Sequence, residues 1–383
     1  MYKTIMSNTI QMYSPTRDYK NHQPEYDAAI SKVLESGLFI NGPEVIELED
    51  NLANYIGDGN KCVAVSSGTD ALYIALLTLG IGPGDEVITT PFTWISSAEV
   101  ICLAGAKPVF VDIKKDTFNL NPYLIADKIT DKTKAIIVVD LFGQLADYPQ
   151  IKSIMKDIPI IQDFAQSFGA EQNGIKAGNQ GIISCTSFFP SKPLGGYGDG
   201  GACFTKDNDL YTKMKAIRNH GGVIRNFHDH VGMNGRLDTL QAAILLVKMK
   251  YFEQCRIDRN KVAKMYTQKL ELYNRSWMKA SPIKLPYTRS MNNVHVWAAY
   301  TLRVERRDEL IKYLKEHDVN ITVFYPRPLH QQPVFIRYGY RDGDFPIAEK
   351  VSKEVISLPC YPELEEWEQR TIISLIKKFY QLV

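Results

Sequence analysis

Between Lys61 and about Thr205 the chain alternates short β-rich apolar runs with helical stretches. The runs are KCVAV, EVIT, PVFV, AIIVV, PIIQ, IISCTSF and ACFT. Most are apolar throughout instead of alternating with polar residues, as strands covered on both faces of a largely parallel sheet are. Residues 70–79, DALYIALLTL, place Leu72, Leu76 and Leu79 on one helical face, and Gly82-Pro83-Gly84 stops that helix. The alternation predicts an α/β fold. Three of the early strand runs end in an acid, Asp112, Asp140 and Asp163. Ligands of open α/β sheets bind beyond the carboxyl ends of the strands, so at least one of these acids is a functional candidate.

From Asp238 to about Gln254 an amphipathic segment repeats Leu240, Ile244 and Val247 at helical spacing and links the large domain to the C-terminal part of the chain. The basic stretch from Arg256 to about Ser290 reads as helix and then loop. A strand (HVWAAYTLRV), a helix (RRDELIKYLKEH), a strand (NITVFYP) and a C-terminal helix (EEWEQRTIISLIKKFYQL) suffice for a small α/β domain. The expected division is a large domain over 1–255 and a small one over 256–383.

Composition narrows the function. Hydrophobic residues make up 45% of the 383 and charged residues 23%, which excludes a disordered or repetitive chain. Lys and Arg number 45 against 43 Asp and Glu, so no basic excess favours a nucleic-acid partner. Six separated cysteines without a C-x-x-C pair point to a reducing compartment. The N-terminal MYKTIMSNTIQMYS has no signal-peptide core, and no run approaches the roughly 18 apolar residues of a membrane span, so the cytoplasm is expected and no membrane partner.

Ser66 to Leu72, SSGTDAL, follows a strand and opens a helix, where free N–H groups suit either ordinary N-capping or a bound phosphate. Ser187 to Phe204, SFFPSKPLGGYGDGGACF, holds five glycines between Gly195 and Gly201. Gly196 to Gly201 matches G-x-G-x-x-G but leads into a strand, whereas a dinucleotide site opens a helix. Lys192 precedes the glycines, the reverse of a P-loop. The segment is then either a flexible surface loop or a tight path around a bound group, with Pro190 and Pro193 stiffening Lys192. His228-Asp229-His230, on consecutive residues, cannot readily face one ion, and no metal is expected. Taken together, Thr69 and Asp70 for a phosphate, Trp94 for a flat ring, Asp163 for a pyridinium nitrogen and Lys192 for an aldehyde match the needs of pyridoxal phosphate.

At these residues the chain resembles the DegT/StrS-type (WbpE-like) nucleotide-sugar aminotransferases, pyridoxal-phosphate enzymes of fold type I. The likeness runs from NGPEVIELE through SSGTDAL, PGDEVITTPFTWISSAE, GAKPVFVDI, QDFAQSFGA, SFFPSKPLGGYGDGGA, GMNGRLDTLQAA and YPRPLH to SLPCYPEL. It implies a large domain with a mostly parallel seven-stranded sheet and a small C-terminal α/β domain. It makes Lys192 the Schiff-base lysine, Asp163 the partner of the ring nitrogen and Gln166 a contact to the ring hydroxyl. Trp94 stacks on the ring, and Gly68, Thr69, Asp70 and Ser187 form the phosphate region. Asn234 and Arg236, in Gly232-x-Asn234-x-Arg236, reach the neighbouring subunit's site near phosphate and substrate respectively, which implies a homodimer with shared sites. Two departures stand out: Gln162 where the family often has Glu, read as variation behind the site, and Phe324-Tyr325-Pro326 where it often has His-Tyr-Pro. Phe324 and Tyr325 lie where substrate is expected.

The resemblance implies transfer of an amino group, with L-glutamate as expected donor, to a keto group of a nucleotide-linked sugar. Asp199 stands where members acting on 4-keto-6-deoxy sugars more often carry Glu. The loop is therefore more like members that aminate 3-keto UDP- or dTDP-hexoses or hexuronates, and the 4-keto sugar is the second reading. Lys192 argues against the related dehydratases, which carry His there. A non-catalytic regulatory or binding protein on the same fold is the rival from another class, and the near-neutral charge argues against a DNA-binding version.

Overall fold

The computed structural model describes residues 9–274, 281–288 and 293–382. The first strands are β1 (Lys61–Val65), β2 (Glu86–Thr89), β3 (Lys107–Phe110), β4 (Thr133–Val139) and β5 (Ile160–Asp163). A hairpin of two short strands, β6 (Glu171–Gln172) and β7 (Ile175–Lys176), precedes β8 (Ile183–Ser187) and β9 (Gly201–Thr205). Seven of these form one sheet in the order β1-β9-β8-β5-β4-β2-β3. Pairing is parallel from β8 to β3 and antiparallel where β9 meets β8 and β1, so β9 alone is reversed. The apolar runs are buried on both faces, as their unbroken hydrophobicity requires.

The helices explain that double burial. In chain order they are α1 (Pro15–Asn21), α2 (Gln23–Ser36), α3 (Pro43–Ile56), α4 (Gly68–Thr78), α5 (Ser96–Leu103), α6 (Tyr148–Met155), α7 (Asn208–Arg218) and α8 (Thr239–Asn274). Ile136, Val138 and Ala202 pack with α3, α6 and α8 through Leu48, Leu52, Ile151 and Leu245. Val63, Ile137, Ile161 and Cys185 face the other way, against Ala71, Ile74, Val100 and Met214 of α4, α5 and α7.

Beyond α8 come β10 (Ile283–Lys284), β11 (Asn293–Val294), β12 (Tyr300–Val304), α9 (Arg307–Glu316), α10 (Pro333–Ile336), α11 (Pro346–Glu354), β13 (Val355–Leu358) and α12 (Glu366–Tyr380). β10, β12 and β13 make an antiparallel sheet whose apolar cluster includes Tyr300, Leu302, Leu310, Ile356 and Ile372. The 36-residue α8 serves both units: Ala242, Leu245 and Phe252 pack on the large sheet, and Val262, Tyr266 and Leu270 in the second cluster. The expected boundary at 255/256 thus falls within one continuous helix. At the other end of the chain Ile10 joins the C-terminal cluster, and Arg17 pairs with Glu368 at 2.7 Å.

Two expectations for this region change. NITVFYP is not a strand; only Thr322 bridges to Ser357, on the edge of β13 away from β12, and the segment then leaves to carry Phe324 and Tyr325 to the site. HVWAAYTLRV is strand only over Tyr300–Val304, since His295 turns back to accept the Trp297 N–H at 3.0 Å. The loop expected up to Ser290 lies partly outside the described residues, as does most of the N-terminal stretch read as lacking a signal peptide. Among the described residues no helix is long and apolar enough to cross a membrane.

Candidate active site

β5 ends at Asp163, which pairs in register with Cys185 of β8, and β8 runs on through Ser187 into the loop that carries Lys192. Asp163 is 7% exposed. Its carboxylate accepts the Ser97 hydroxyl at 2.9 Å and the Ala165 N–H at 3.2 Å. Burial raises its pKa, and these bonds together with the charge of Lys192 oppose the rise. Burial lowers the pKa of Lys192 in turn, with Asp163 opposing. An amine moved towards neutrality beside a buried carboxylate is suited to bond a carbonyl carbon and to carry a proton.

The glycine-rich loop follows a tight path. Gly196 donates to the Phe188 carbonyl at 2.7 Å, Phe188 to the Gly200 carbonyl at 2.7 Å, and Tyr197 to Oε1 of Gln241 at 2.9 Å. A Cβ on Gly195 would lie 2.4 Å from the Pro190 carbonyl oxygen, so only glycine allows the backbone to fold back under the lysine. Lys192 itself is pinned by its N–H, which donates to the Phe189 carbonyl at 2.8 Å.

At the start of α4 the capping reading of SSGT is met, and it leaves helix amides open to an anion. Ser67 is the N-cap, its hydroxyl accepting the Asp70 N–H at 3.0 Å. Gly68 and Thr69, the first helical residues, have N–H groups that lie outside the helix's own ladder and meet any anion there with the positive end of the dipole. A Cβ at Gly68 would stand 2.6 Å from Cβ of Ser187, which brings the helix end and the β8 terminus into one cradle. The Thr69 hydroxyl is 2.7 Å from that of Ser96, and the Ser66 hydroxyl donates to Asp70. These hydroxyls and free amides, with the lysine and buried acid beside them, fit a phosphorylated pyridine aldehyde.

Trp94 is 60% exposed just before α5, free to cover a flat ring. Gln166 is oriented at both ends, accepting the Phe142 N–H at 2.9 Å and donating to the Tyr325 hydroxyl at 3.1 Å. Tyr325 is also hydrogen-bonded to the Trp94 backbone, and burial pushes its phenol upward. Phe324 packs beside it, their ring centroids 5.6 Å apart. Ser97 and Phe142 have no local motif that announces them, because their contacts join different strands and helices; Asp140 is one of the three strand-end acids.

The 232–236 segment is anchored on its own chain. The Ser66 N–H donates to the Gly235 carbonyl at 2.9 Å, Val65 bridges to Arg236, and Arg236 Nη1 donates to Oδ1 of Asn219 at 2.8 Å. Asn234 is exposed, and Nε of Arg236 is buried without a protein partner. Among the described residues no group of three His, Cys, Asp or Glu stands where it would share a metal ion.

This fold, with a lysine and a buried aspartate in electrostatic reach of each other at the carboxyl ends of the strands, is that of the fold type I transferases. The sequence profile of the DegT/DnrJ/EryC1/StrS aminotransferase family matches residues 20–377, and the chain belongs to that family. It is 46% identical over 354 residues to the UDP-2-acetamido-2-deoxy-3-oxo-D-glucuronate aminotransferase of Pseudomonas aeruginosa, covering 91% of this chain and 95% of that one. It is 42% identical over 374 residues to a pleiotropic regulatory protein of Geobacillus stearothermophilus, covering 97% and 99%. The solved structure of NtdA from Bacillus subtilis with bound cofactor PMP matches with a TM-score of 0.87 and 30% identity, over 94% of this chain and 82% of that one.

Proposed function

We propose that the protein is a pyridoxal-phosphate aminotransferase that moves an amino group from an amino acid, L-glutamate as donor, to the keto carbon of a nucleotide-linked sugar. Its substrate class is the 3-keto UDP- or dTDP-hexoses and hexuronates. The observation that carries this is the buried Asp163, held by Ser97 and within electrostatic reach of Lys192, with the Gly68–Ser187 cradle at the α4 terminus, in a chain 46% identical to an aminotransferase named for a 3-oxo-glucuronate. The same constellation weighs against a purely regulatory role, despite the likeness to a regulatory protein.

The cofactor supplies an aldehyde carbon and a ring able to take up an electron pair. With the cofactor bound, Lys192 would be the amine that holds its aldehyde carbon, and its Nζ would move a proton at the reacting substrate. Asp163, fixed by Ser97, would hold a proton on the ring nitrogen. Gln166 would contact the ring's hydroxyl, Trp94 would cover the ring, and Gly68, Thr69, Asp70 and Ser187 would hold the phosphate. Phe324 and Tyr325 line the substrate side.

On this reading the active unit is a homodimer, Asn234 and Arg236 serving the partner's site. The exposed Leu38, Phe39, Ile40, Ile224, Phe227 and Val231 give a second copy apolar surface to cover. The compartment is the cytoplasm. The test is a panel of 3-keto and 4-keto UDP- and dTDP-sugars offered to the glutamate-loaded protein, with the cofactor's absorption as readout. Turnover of a 3-keto sugar well above its 4-keto partner is expected, and the reverse preference would move the substrate to the 4-keto-6-deoxy class.

A further inference from the structure

Of the three strand-end acids, Asp163 has a place in the proposed chemistry. Asp112 has a structural one: its carboxylate accepts the N–H groups of Ile347 and Ala348 at 2.9 and 3.0 Å, tying α11 to the large sheet. Asp140 is fully buried, and among the described residues it neither pairs with a cation nor docks the second unit.

Asp140 ends β4, the strand next to β5. Val139 pairs with Asp163, so successive side chains place Asp140 and Gln162 together on the sheet face opposite Asp163. The Asp140 N–H donates to the Asp163 carbonyl at 2.9 Å. Its Oδ1 accepts the Ala146 N–H at 2.8 Å, and its Oδ2 accepts Nε2 of Gln162 at 2.7 Å and the Ser167 hydroxyl at 3.3 Å. Gln162 cannot turn round, because its Oε1 already accepts the Gly178 and Gln180 N–H groups and the Ser184 hydroxyl. Donors locked on both oxygens favour the ionised carboxylate. Ser167 in turn closes the turn holding Ala165 and Gln166, its N–H donating to the Phe164 carbonyl at 2.9 Å.

We propose that Asp140 is a positioning residue for the transferase site: from the reverse face of the sheet it fixes the Asp163–Ser167 turn and adds a second negative charge behind Asp163. This rests on the pyridoxal-phosphate reading. A charge there favours a protonated, cationic ring in front of Asp163 more than Asp163 does alone. Among the described residues the titratable groups that act on Asp140 are Tyr148 on α6 and, through the sheet, Asp163 on β5. Burial pushes its carboxyl up to about 7, the Asp163 charge adding to the rise and the hydrogen bonds from Gln162, Ala146 and Tyr148 opposing it. Its charge therefore changes close to neutral pH.

The test uses the full chain, wild type and Asp140→Asn, with and without pyridoxal phosphate. In the loaded protein the pH midpoint of the cofactor's visible band should fall by about one unit in the variant, since protonated forms lose a nearby anion. In the cofactor-free protein, hydrogen exchange of the Ala165 and Ser167 amides should quicken by about tenfold or more. A midpoint and an exchange rate both equal to wild type overturn the proposal. A role in packing alone would quicken exchange and leave the midpoint in place, which overturns the electrostatic half. If Asp140→Asn does not fold, Ser167→Ala removes one donor from the same oxygen, and both readouts should move the same way by less; no movement is again a refutation. Wild type that takes up no cofactor sinks the functional reading instead, and the exchange measurement still decides whether Asp140 fixes the turn.

Discussion

The Ser97 hydroxyl, three residues past Trp94 on α5, donates to Oδ2 of Asp163 at 2.9 Å, so the acid that ends β5 is aimed by a different element of the chain. An ionised acid in a site this dry needs that donor, because burial alone drives it towards protonation. Asp163→Asn keeps the shape and removes the charge. It should leave the melting temperature within a few degrees and cut the glutamate half-reaction by about a hundredfold or more. Ser97→Ala removes only the donor and should cost about tenfold, the scale of one hydrogen bond to a charged group. Stopped-flow spectra of the half-reaction measure both. Near-normal rates in Asp163→Asn would move the electron-sink role to another residue.

Lys192→Ala should lower turnover by about a thousandfold or more while cofactor still binds, because the α4 terminus, Ser187 and Asp163 are untouched. Borohydride reduction followed by mass measurement separates the cases: wild type should gain the cofactor's mass covalently and the variant should not. Turnover persisting in the variant would give the covalent role to another amine.

The parts of this site differ in how far the sequence exposes them. The strands of the large sheet are legible because burial on both faces makes most of the runs apolar throughout, and Asp163 is legible because it ends such a run. Lys192 stands out between two prolines. Whether its loop is floppy or tight depends on Gln241, 44 residues after Tyr197, and nothing local to the loop signals that contact. Ser97 and Gln166 reach their partners across 66 and 159 residues. NITVFYP has β composition yet meets the edge of β13 only at Thr322, because the chain then turns away to bring Tyr325 to Gln166. Propensity describes a segment, while pairing is decided by where the rest of the chain takes it.

His295 gives a stability test away from the catalytic chemistry. It is buried, stacked 3.8 Å from Trp297, and its Nδ1 accepts the Trp297 N–H, which requires that nitrogen unprotonated. Burial lowers its pKa to about 3 from the ordinary 6.5. The neutral ring therefore contributes stability that is present above pH 6.5 and lost as pH falls towards 3, the loss reaching about 2 kcal/mol by about pH 5. His295→Gln can still accept the N–H without a titrating group. It should melt lower than wild type at neutral pH yet lose less on acidification to about pH 5. Parallel losses in the two proteins would place the acid sensitivity elsewhere.

The arrangement of Asn234 and Arg236 makes the strongest demand. Arg236 is tied to Asn219 on its own chain, and Asn234 is exposed, as are Ile224, Phe227 and Val231 in the loop before it. If these residues complete the partner's site, a chain lacking Lys192 and a chain lacking Asn234 and Arg236 are each inactive alone but complementary in one dimer. Mixing Lys192→Ala with Asn234→Ala/Arg236→Ala under conditions that exchange subunits gives mixed dimers in which one site carries both defects and the other carries neither. Random equal mixing makes about half the dimers mixed, each with one good site, so activity should return to about a quarter of wild type. Native mass spectrometry confirms the exchange, and the half-reaction measures the recovery. Mixed dimers without recovered activity would mean that Asn234 and Arg236 act within their own chain.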